Sequence, residues 1–247
     1  MYNQAGFYVR KTIKSDVVYN LLFTNLEHKW IIFLPGLPQY MHKQSYLKQL
    51  MQDYNVLIPY YPGSFHSGKK FTPKYLERVI PDCIKIIKDK VFYDYFERKK
   101  YTHSGEIEGI WGLSFGSILI TQYLTCSKQP LNTNYLLAGP MFILTKELEN
   151  KYWVPKLTFL QSKVYSKVYR GLNSNNLIAW IHNIEKKNIP GSAKGLILTG
   201  DNDTYMDLNF LKEKFSNFVF KSVRGYSHEV DNIISLYIES GYNINKL

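Results

Sequence analysis

The sequence has few cysteines, and the two that it has, Cys83 and Cys126, lie far apart in a chain of 247 residues. Two distant thiols cannot build the disulfide framework of a small secreted protein, nor the clustered ligands of a structural zinc site. The sequence therefore favours a reducing environment, and we expect a cytoplasmic protein.

Long apolar runs are also missing. No stretch reaches the ~18 consecutive apolar residues that a membrane-spanning helix needs. Residues 1–6 lack the charged and then apolar pattern of an export signal. The sequence thus predicts neither a membrane span nor export.

Internal repeats and linkers rich in glycine and serine are absent as well. With 45% hydrophobic and 21% charged residues, the chain has enough apolar side chains to bury a core. We therefore expect residues 1–247 to form a single folded domain.

Acidic residues are in the minority, at 20 against 31 lysines and arginines, which gives a formal net charge of +11. A local basic cluster comprises Lys85, Lys88, Lys90, Arg98, Lys99 and Lys100. Since no nucleic-acid-binding motif accompanies it, we interpret the cluster as solvated surface and expect no nucleic-acid partner. The excess of positive charge favours a small substrate with an anionic acid group.

Short apolar runs typical of strands alternate with stretches of helical periodicity. Strands are predicted over residues 6–11, 17–24, 29–35, 54–59, 107–112, 134–138, 195–200 and 217–223. Helices are predicted over 43–52, 72–87 with a kink at Pro81, 115–125 and 229–239, and residues 94–105 are predicted to be an exposed loop. The alternation predicts an α/β fold in which helices flank a mostly parallel sheet of about eight strands, with an antiparallel edge formed by the first strands.

The alternation stops between the strands at 134–138 and 195–200. Residues 142–192 are rich in aromatic side chains and show helical spacing without a convincing strand. Long insertions of this kind often cover a site. We expect this segment to be an inserted helical cap.

The strongest local motif is Gly112-Leu113-Ser114-Phe115-Gly116, at the junction of a predicted strand and a predicted helix. A nucleophilic serine on a sharp turn needs flanking glycines, because the strand and the helix approach closely there. The amino terminus of the helix would also direct N–H groups towards a developing oxyanion.

A serine hydroxyl becomes a nucleophile only when a histidine takes its proton and a carboxylate orients that histidine. Asp201 and Asp203 follow the strand at 195–200, and His228 follows the strand at 217–223. The chain order serine, aspartate, histidine is the order associated with this type of turn. Either aspartate could be the acid at this point, whereas Asp207 fits a helix cap.

With these motifs the chain resembles the α/β-hydrolase superfamily over nearly its whole length. Residues 34–38 (LPGLP) are similar to the family's H-G-x-P turn, and residues 62–68 (PGSFHSG) to its P-G-x-G-x-S loop. Pro35 stands where the family usually has a histidine. Tyr60-Tyr61 stands where many members have an aspartate.

The resemblance implies a role for each site residue. Ser114 is implied as the nucleophile, His228 as the general base and acid, and Asp203 as the orienting carboxylate. Asp203 is favoured over Asp201 by the family's spacing from Gly200. The backbone N–H groups of Leu37 and Phe115 are implied to form the oxyanion hole. No cofactor is implied.

Two other kinds of site are disfavoured. The remaining five histidines show no ligand spacing, so a metal site is not expected. Residues 63–70 match a phosphate-binding loop except that Lys70 replaces the hydroxyl residue that would bind Mg²⁺. The first helix-start signal after that loop is Pro73, so nucleotide binding is not expected either.

The sequence thus predicts a cofactor-independent serine hydrolase that cleaves a carboxylic ester through an acyl-enzyme. Thioester hydrolysis, acyl transfer and cleavage of a C–C bond next to a ketone are alternatives on the same machinery. A receptor that uses the capped pocket with little turnover is a further alternative, and so is an adaptor that binds nucleic acid or a membrane surface through its basic face.

Overall fold

The computed structural model describes residues 8–38, 44–142, 145–163 and 165–243, together with residues 245 and 247. Its main feature is an eight-stranded sheet, and a separate two-stranded hairpin packs beside the first strand of that sheet. The described residues form the strands β1 (Tyr8–Lys14), β2 (Val17–Phe23), β3 (Trp30–Leu34), β4 (Asn55–Pro59), β5 (Val91–Tyr93), β6 (Lys100–Thr102), β7 (Ile107–Leu113), β8 (Asn134–Ala138), β9 (Gly195–Gly200) and β10 (Phe218–Val223).

The strand order in the large sheet is β1-β2-β4-β3-β7-β8-β9-β10. Strand β2 is antiparallel to both of its neighbours, and the run from β4 to β10 is parallel. The predicted mostly parallel sheet with an antiparallel edge is therefore confirmed. In such a sheet the carboxyl ends of the parallel strands meet at one edge, where sites are usually built.

Helices cover both faces of the sheet. They are α1 (Gln44–Leu50), α2 (Pro73–Leu76), α3 (Val79–Lys88), α4 (Phe115–Cys126), α5 (Lys146–Leu148), α6 (Val154–Gln161), α7 (Ser174–Glu185), α8 (Leu208–Lys214) and α9 (Val230–Glu239), with a π-helical turn at Glu149–Trp153. One core contains buried side chains of α3, α4 and α7, and the other contains those of α1 and α9. None of the helices in the described residues is long and apolar enough to cross a bilayer.

The central strand β3 shows why the apolar runs form this sheet. All five of its residues are buried. Ile32 and Leu34 point into one core, whereas Ile31 and Phe33 point into the other. A strand with helices on both faces buries both sets of alternating side chains, which accounts for its uninterrupted apolar run.

The predicted kink at Pro81 is wrong. The predicted helix is interrupted earlier and forms α2 and α3, and Pro81 lies in the first turn of α3. The first N–H groups of a helix have no partner within it, so a proline costs little there.

The exposed loop predicted over residues 94–105 is wrong in part. Strand β6 lies in this segment and pairs antiparallel with β5. The Asp94 carboxylate accepts hydrogen bonds from the backbone N–H groups of Phe96 and Glu97 and so stabilises the turn between the two strands. The side chains of β5 and β6 alternate little in polarity, so the sequence pattern did not predict this short hairpin.

The segment predicted to be a cap contains two helical parts. Helix α5, the π-helical turn and α6 follow one another without a break. Helix α7 packs against α4 and α2 of the helical layer and also against α6. In the described part of 142–192 there is no strand, although Tyr169 forms an isolated bridge with Ser64.

Candidate active site

Ser114 lies on a sharp turn between β7 and α4, with φ of 49° and ψ of −108°. The turn is tight because two glycines remove side chains from it. A Cβ on Gly116 would lie 2.1 Å from the Leu34 carbonyl oxygen, and one on Gly112 would lie 2.6 Å from the backbone of Gly116. Only a residue without a side chain fits at either position, and the strained serine is held between them.

The Ser114 side chain is almost covered, since the residue is 4% exposed. Its backbone N–H donates to the Ala138 carbonyl over 2.8 Å, which ties the turn to β8. Its Oγ lies 3.1 Å from Nε2 of His228 and 3.6 Å from Sδ of Met141. The hydroxyl is therefore within hydrogen-bonding reach of a base.

His228 is in turn held by a carboxylate. Its Nδ1 lies 2.8 Å from Oδ2 of Asp203, whose side chain is fully buried. The other oxygen of Asp203, Oδ1, accepts the backbone N–H of Tyr205 over 2.9 Å. An Nδ1–H that donates to Asp203 leaves Nε2 as an acceptor for the serine proton.

The two aspartates that the sequence left open have different surroundings. Asp201 is exposed, and its Oδ1 accepts the backbone N–H of Gly225 over 2.8 Å. It therefore joins the loop after β9 to the loop after β10, and Asp203 is the aspartate in contact with His228. The predicted cap role of Asp207 is confirmed, because its carboxylate accepts two backbone N–H groups of α8.

The loop at residues 35–38 lies against Ser114. A Cβ on Gly36 would lie 3.3 Å from Cβ of Ser114. Leu37 follows Gly36 directly, and Phe115 begins α4, so the backbones of both residues adjoin the serine. This placement is compatible with the oxyanion hole that the resemblance implies.

Tyr61 contacts both the loop at residues 35–38 and the start of α4. Its functional role was not predicted from the sequence. Its hydroxyl donates a hydrogen bond to the Pro35 carbonyl, and its ring packs edge-on against Phe115 at 5.6 Å. Burial raises the pKa of the Tyr61 phenol well above its ordinary value, so the group stays protonated and can donate. The tyrosine thus braces the loop that contains Pro35.

An aromatic stack next to His228 is a second feature missed from the sequence. The Tyr205 ring stacks on the His228 ring at 4.7 Å, and the Tyr152 ring lies 3.9 Å from that of Tyr205. The Tyr152 hydroxyl also lies 2.8 Å from Oγ1 of Thr204. The π-helical turn is therefore in direct contact with the loop that holds Asp203.

The rival sites gain no support. Among the described residues, no group of three histidine, cysteine, aspartate or glutamate side chains could hold a metal ion. Lys69 of the phosphate-loop-like segment forms an ion pair with Asp16 at 2.6 Å, and the next helix begins only at Pro73. No helix amino terminus follows the loop directly, as phosphate binding would require.

Comparison of sequences identifies no matching family model and no curated relative. Comparison of structures does find similar proteins. The esterase Pf2001 from Pyrococcus furiosus is 18% identical, with a TM-score of 0.59 over 97% of this chain and 87% of that one. A soluble variant of monoglyceride lipase from Saccharomyces cerevisiae is 14% identical, with a TM-score of 0.59 over 100% and 96%. A hydrolase from Pseudomonas aeruginosa PA01 is 13% identical, with a TM-score of 0.57 over 97% and 96%.

These likenesses extend over the whole sheet and its helices. Together with the strand order, they show that the chain has the α/β-hydrolase fold. At these identities the likeness concerns the fold and does not extend to function.

Proposed function

We propose that this protein is a cofactor-independent serine hydrolase that cleaves a carboxylic ester through Ser114, His228 and Asp203. The observation that carries the proposal is the unbroken chain of contacts from Asp203 through His228 to the hydroxyl of Ser114, at 2.8 and 3.1 Å. The positive φ of Ser114 adds to it, because a strained backbone at a nucleophile is typical of this kind of site.

The first half of the reaction forms an acyl-enzyme. Nε2 of His228 takes the proton of Ser114 as Oγ attacks the ester carbonyl, and the backbone N–H groups of Leu37 and Phe115 stabilise the oxyanion. The intermediate then collapses, the C–O bond to the alcohol breaks, and Nε2 returns the proton to the departing oxygen.

The second half releases the acid. Water takes the place of the alcohol, and His228 accepts its proton as the water oxygen attacks the acyl carbon. When the bond to Oγ breaks, Nε2 gives the proton back to Ser114. Asp203 orients the imidazole and stabilises its charged form in both halves.

In this proposal the segment 142–192 contains the cap, and residues 145–161 are the part that lies over the site. The support is the contact of the π-helical turn with the loop of Asp203 and the near-complete burial of Ser114. Helix α7 packs on both α4 and α6 and so connects this part to the helical layer.

The test combines a covalent probe with ester hydrolysis. A fluorophosphonate should label the wild type and fail to label Ser114→Ala. Asp203→Asn should lower kcat for p-nitrophenyl esters by roughly 10³- to 10⁴-fold, because the imidazole loses its orienting carboxylate.

Asp201→Asn is the matched control, since it removes the same charge from the neighbouring carboxylate that joins two loops. We expect it to retain most of the wild-type kcat. An unlabelled but folded wild type, or equal losses in the two aspartate variants, would contradict the proposal. The first result would favour the receptor with little turnover.

A further inference from the structure

A lysine lies next to the serine hydroxyl. Nζ of Lys156, in α6, is 3.8 Å from Sδ of Met141, and the same sulfur is 3.6 Å from Oγ of Ser114. The ammonium is therefore at most 7.4 Å from the hydroxyl, which is the sum of the two contacts. Met141 is 1% exposed, so both groups adjoin the same buried thioether.

This ammonium has no ion-pair partner among the described residues. Two nearby acidic side chains are engaged elsewhere: Glu149 pairs with Lys146 and His182, and Asp203 pairs with His228. Burial of the ammonium lowers the pKa of Lys156 to about 8. At neutral pH the site thus holds a half-buried cation with no ion-pair partner among the described residues, which is an unfavourable arrangement for folding alone.

We propose that Lys156 binds an anionic group of the substrate, so that the natural ester carries a carboxylate close to its scissile carbonyl. The proposal rests on the proposed function, since it places this group relative to a carbonyl attacked by Ser114. A carboxylate would supply the missing counter-ion and would form a charge-assisted hydrogen bond with the ammonium.

The distances favour a short substrate, held between Oγ of Ser114 and Nζ of Lys156. An attacked carbonyl carbon lies about 3 Å from the nucleophile, and a carboxylate oxygen lies about 2.8 Å from an ammonium. When both substrate groups lie between Oγ and Nζ, which are at most 7.4 Å apart, only a few bonds fit between the carbonyl and the carboxylate. The carboxylate can belong to the acyl part or to the alcohol part of such an ester.

Two pairs of esters distinguish a carboxylate on the acyl part from one on the alcohol part. Monoethyl glutarate and ethyl pentanoate differ by a carboxylate on the acyl side. Acetoxyacetate and its amide differ by a carboxylate on the alcohol side. For each pair, kcat/KM is measured by titration of the released acid at pH 7 with the wild type, Lys156→Met, Lys156→Arg and Lys163→Met.

We expect the wild type to prefer the anionic member of at least one pair, and Lys156→Met to reduce that preference roughly tenfold or more, mainly through KM. Lys156→Arg should retain a larger share of the preference than Lys156→Met. Lys163 is exposed in the same segment, so Lys163→Met should leave the preference unchanged.

Binding without turnover separates this inference from the proposed function. Glutarate is titrated calorimetrically into the wild type and into Lys156→Met, with glutaramide as the neutral reference. If no ester is hydrolysed but glutarate binds roughly tenfold more tightly to the wild type, the anion site stands and the hydrolase proposal fails. If esters are hydrolysed without a charge preference and both proteins bind glutarate alike, the anion site is refuted and the hydrolase proposal stands.

Discussion

Replacement of Lys156 by methionine should stabilise the folded protein. Burial lowers the pKa of this lysine from its ordinary value of 10.5 to about 8. Each pKa unit corresponds to about 1.4 kcal/mol, so a fully buried charge would lower the free energy of unfolding by about 3 kcal/mol. Because the side chain is only partly buried, we expect Lys156→Met to raise the free energy of unfolding at pH 7 by about 1–3 kcal/mol.

The gain in the free energy of unfolding from Lys156→Met should become smaller as the pH rises. The penalty is complete below pH 8, where the lysine is charged in both the folded and the unfolded chain. It disappears as the pH rises towards 10.5, because the folded protein gives up the proton first and the unfolded chain follows. The wild type should therefore become as stable as Lys156→Met at high pH, apart from differences in packing.

Urea unfolding followed by tryptophan fluorescence at pH 7 and pH 10 measures both effects. Lys163→Met serves as the control, since it removes an exposed charge from the same segment and should show little difference from the wild type at either pH. The reasoning fails if Lys156→Met is no more stable than the wild type at pH 7, or if their difference is the same at both pH values.

Two further predictions concern the turn and its brace. Gly116→Ala should destabilise the protein by about 3 kcal/mol or prevent folding, because the new Cβ meets the carbonyl oxygen of Leu34 at 2.1 Å. Gly191→Ala, whose Cβ would have no neighbour closer than 3.7 Å, should change urea stability by less than about 1 kcal/mol. Tyr61→Phe should lower kcat for a p-nitrophenyl ester about tenfold with little change in KM, because the buried Pro35 carbonyl loses its donor and the neighbouring loop loses its position. An unchanged kcat in this variant would show that the hydrogen bond does not position the loop.

The sheet could be predicted because its signals are local. The buried run at residues 30–34 and the glycines around Ser114 each specify their own backbone, whatever the rest of the chain does. The hairpin of β5 and β6 could not be predicted in this way. Its three-residue strands show no clear alternation, and its turn depends on one carboxylate, that of Asp94.

In the candidate site, too, some features have local sequence signals and others depend on how distant segments pack. Ser114 and His228 each follow a recognisable strand, so the parallel sheet places both at its carboxyl edge. The brace from Tyr61 to Pro35 and the contact of Lys156 with Met141 have no such origin. They join side chains whose positions depend on how loops and an inserted helix pack, and no spacing in the sequence encodes that packing.

Met141 connects the two proposals physically. Its thioether contacts both the hydroxyl of Ser114 and the ammonium of Lys156, and it is buried together with the serine. Because the thioether lies against the hydroxyl, we expect a bound substrate to displace this flexible, unbranched side chain. The same displacement would bring the substrate against the ammonium. In an ester with a nearby carboxylate, the carbonyl would then take the place of the thioether next to the Ser114 hydroxyl, and the carboxylate would form an ion pair with the Lys156 ammonium. A neutral ester would instead leave the lysine desolvated and unpaired. The difference between these two outcomes would itself produce selectivity for an anionic ester.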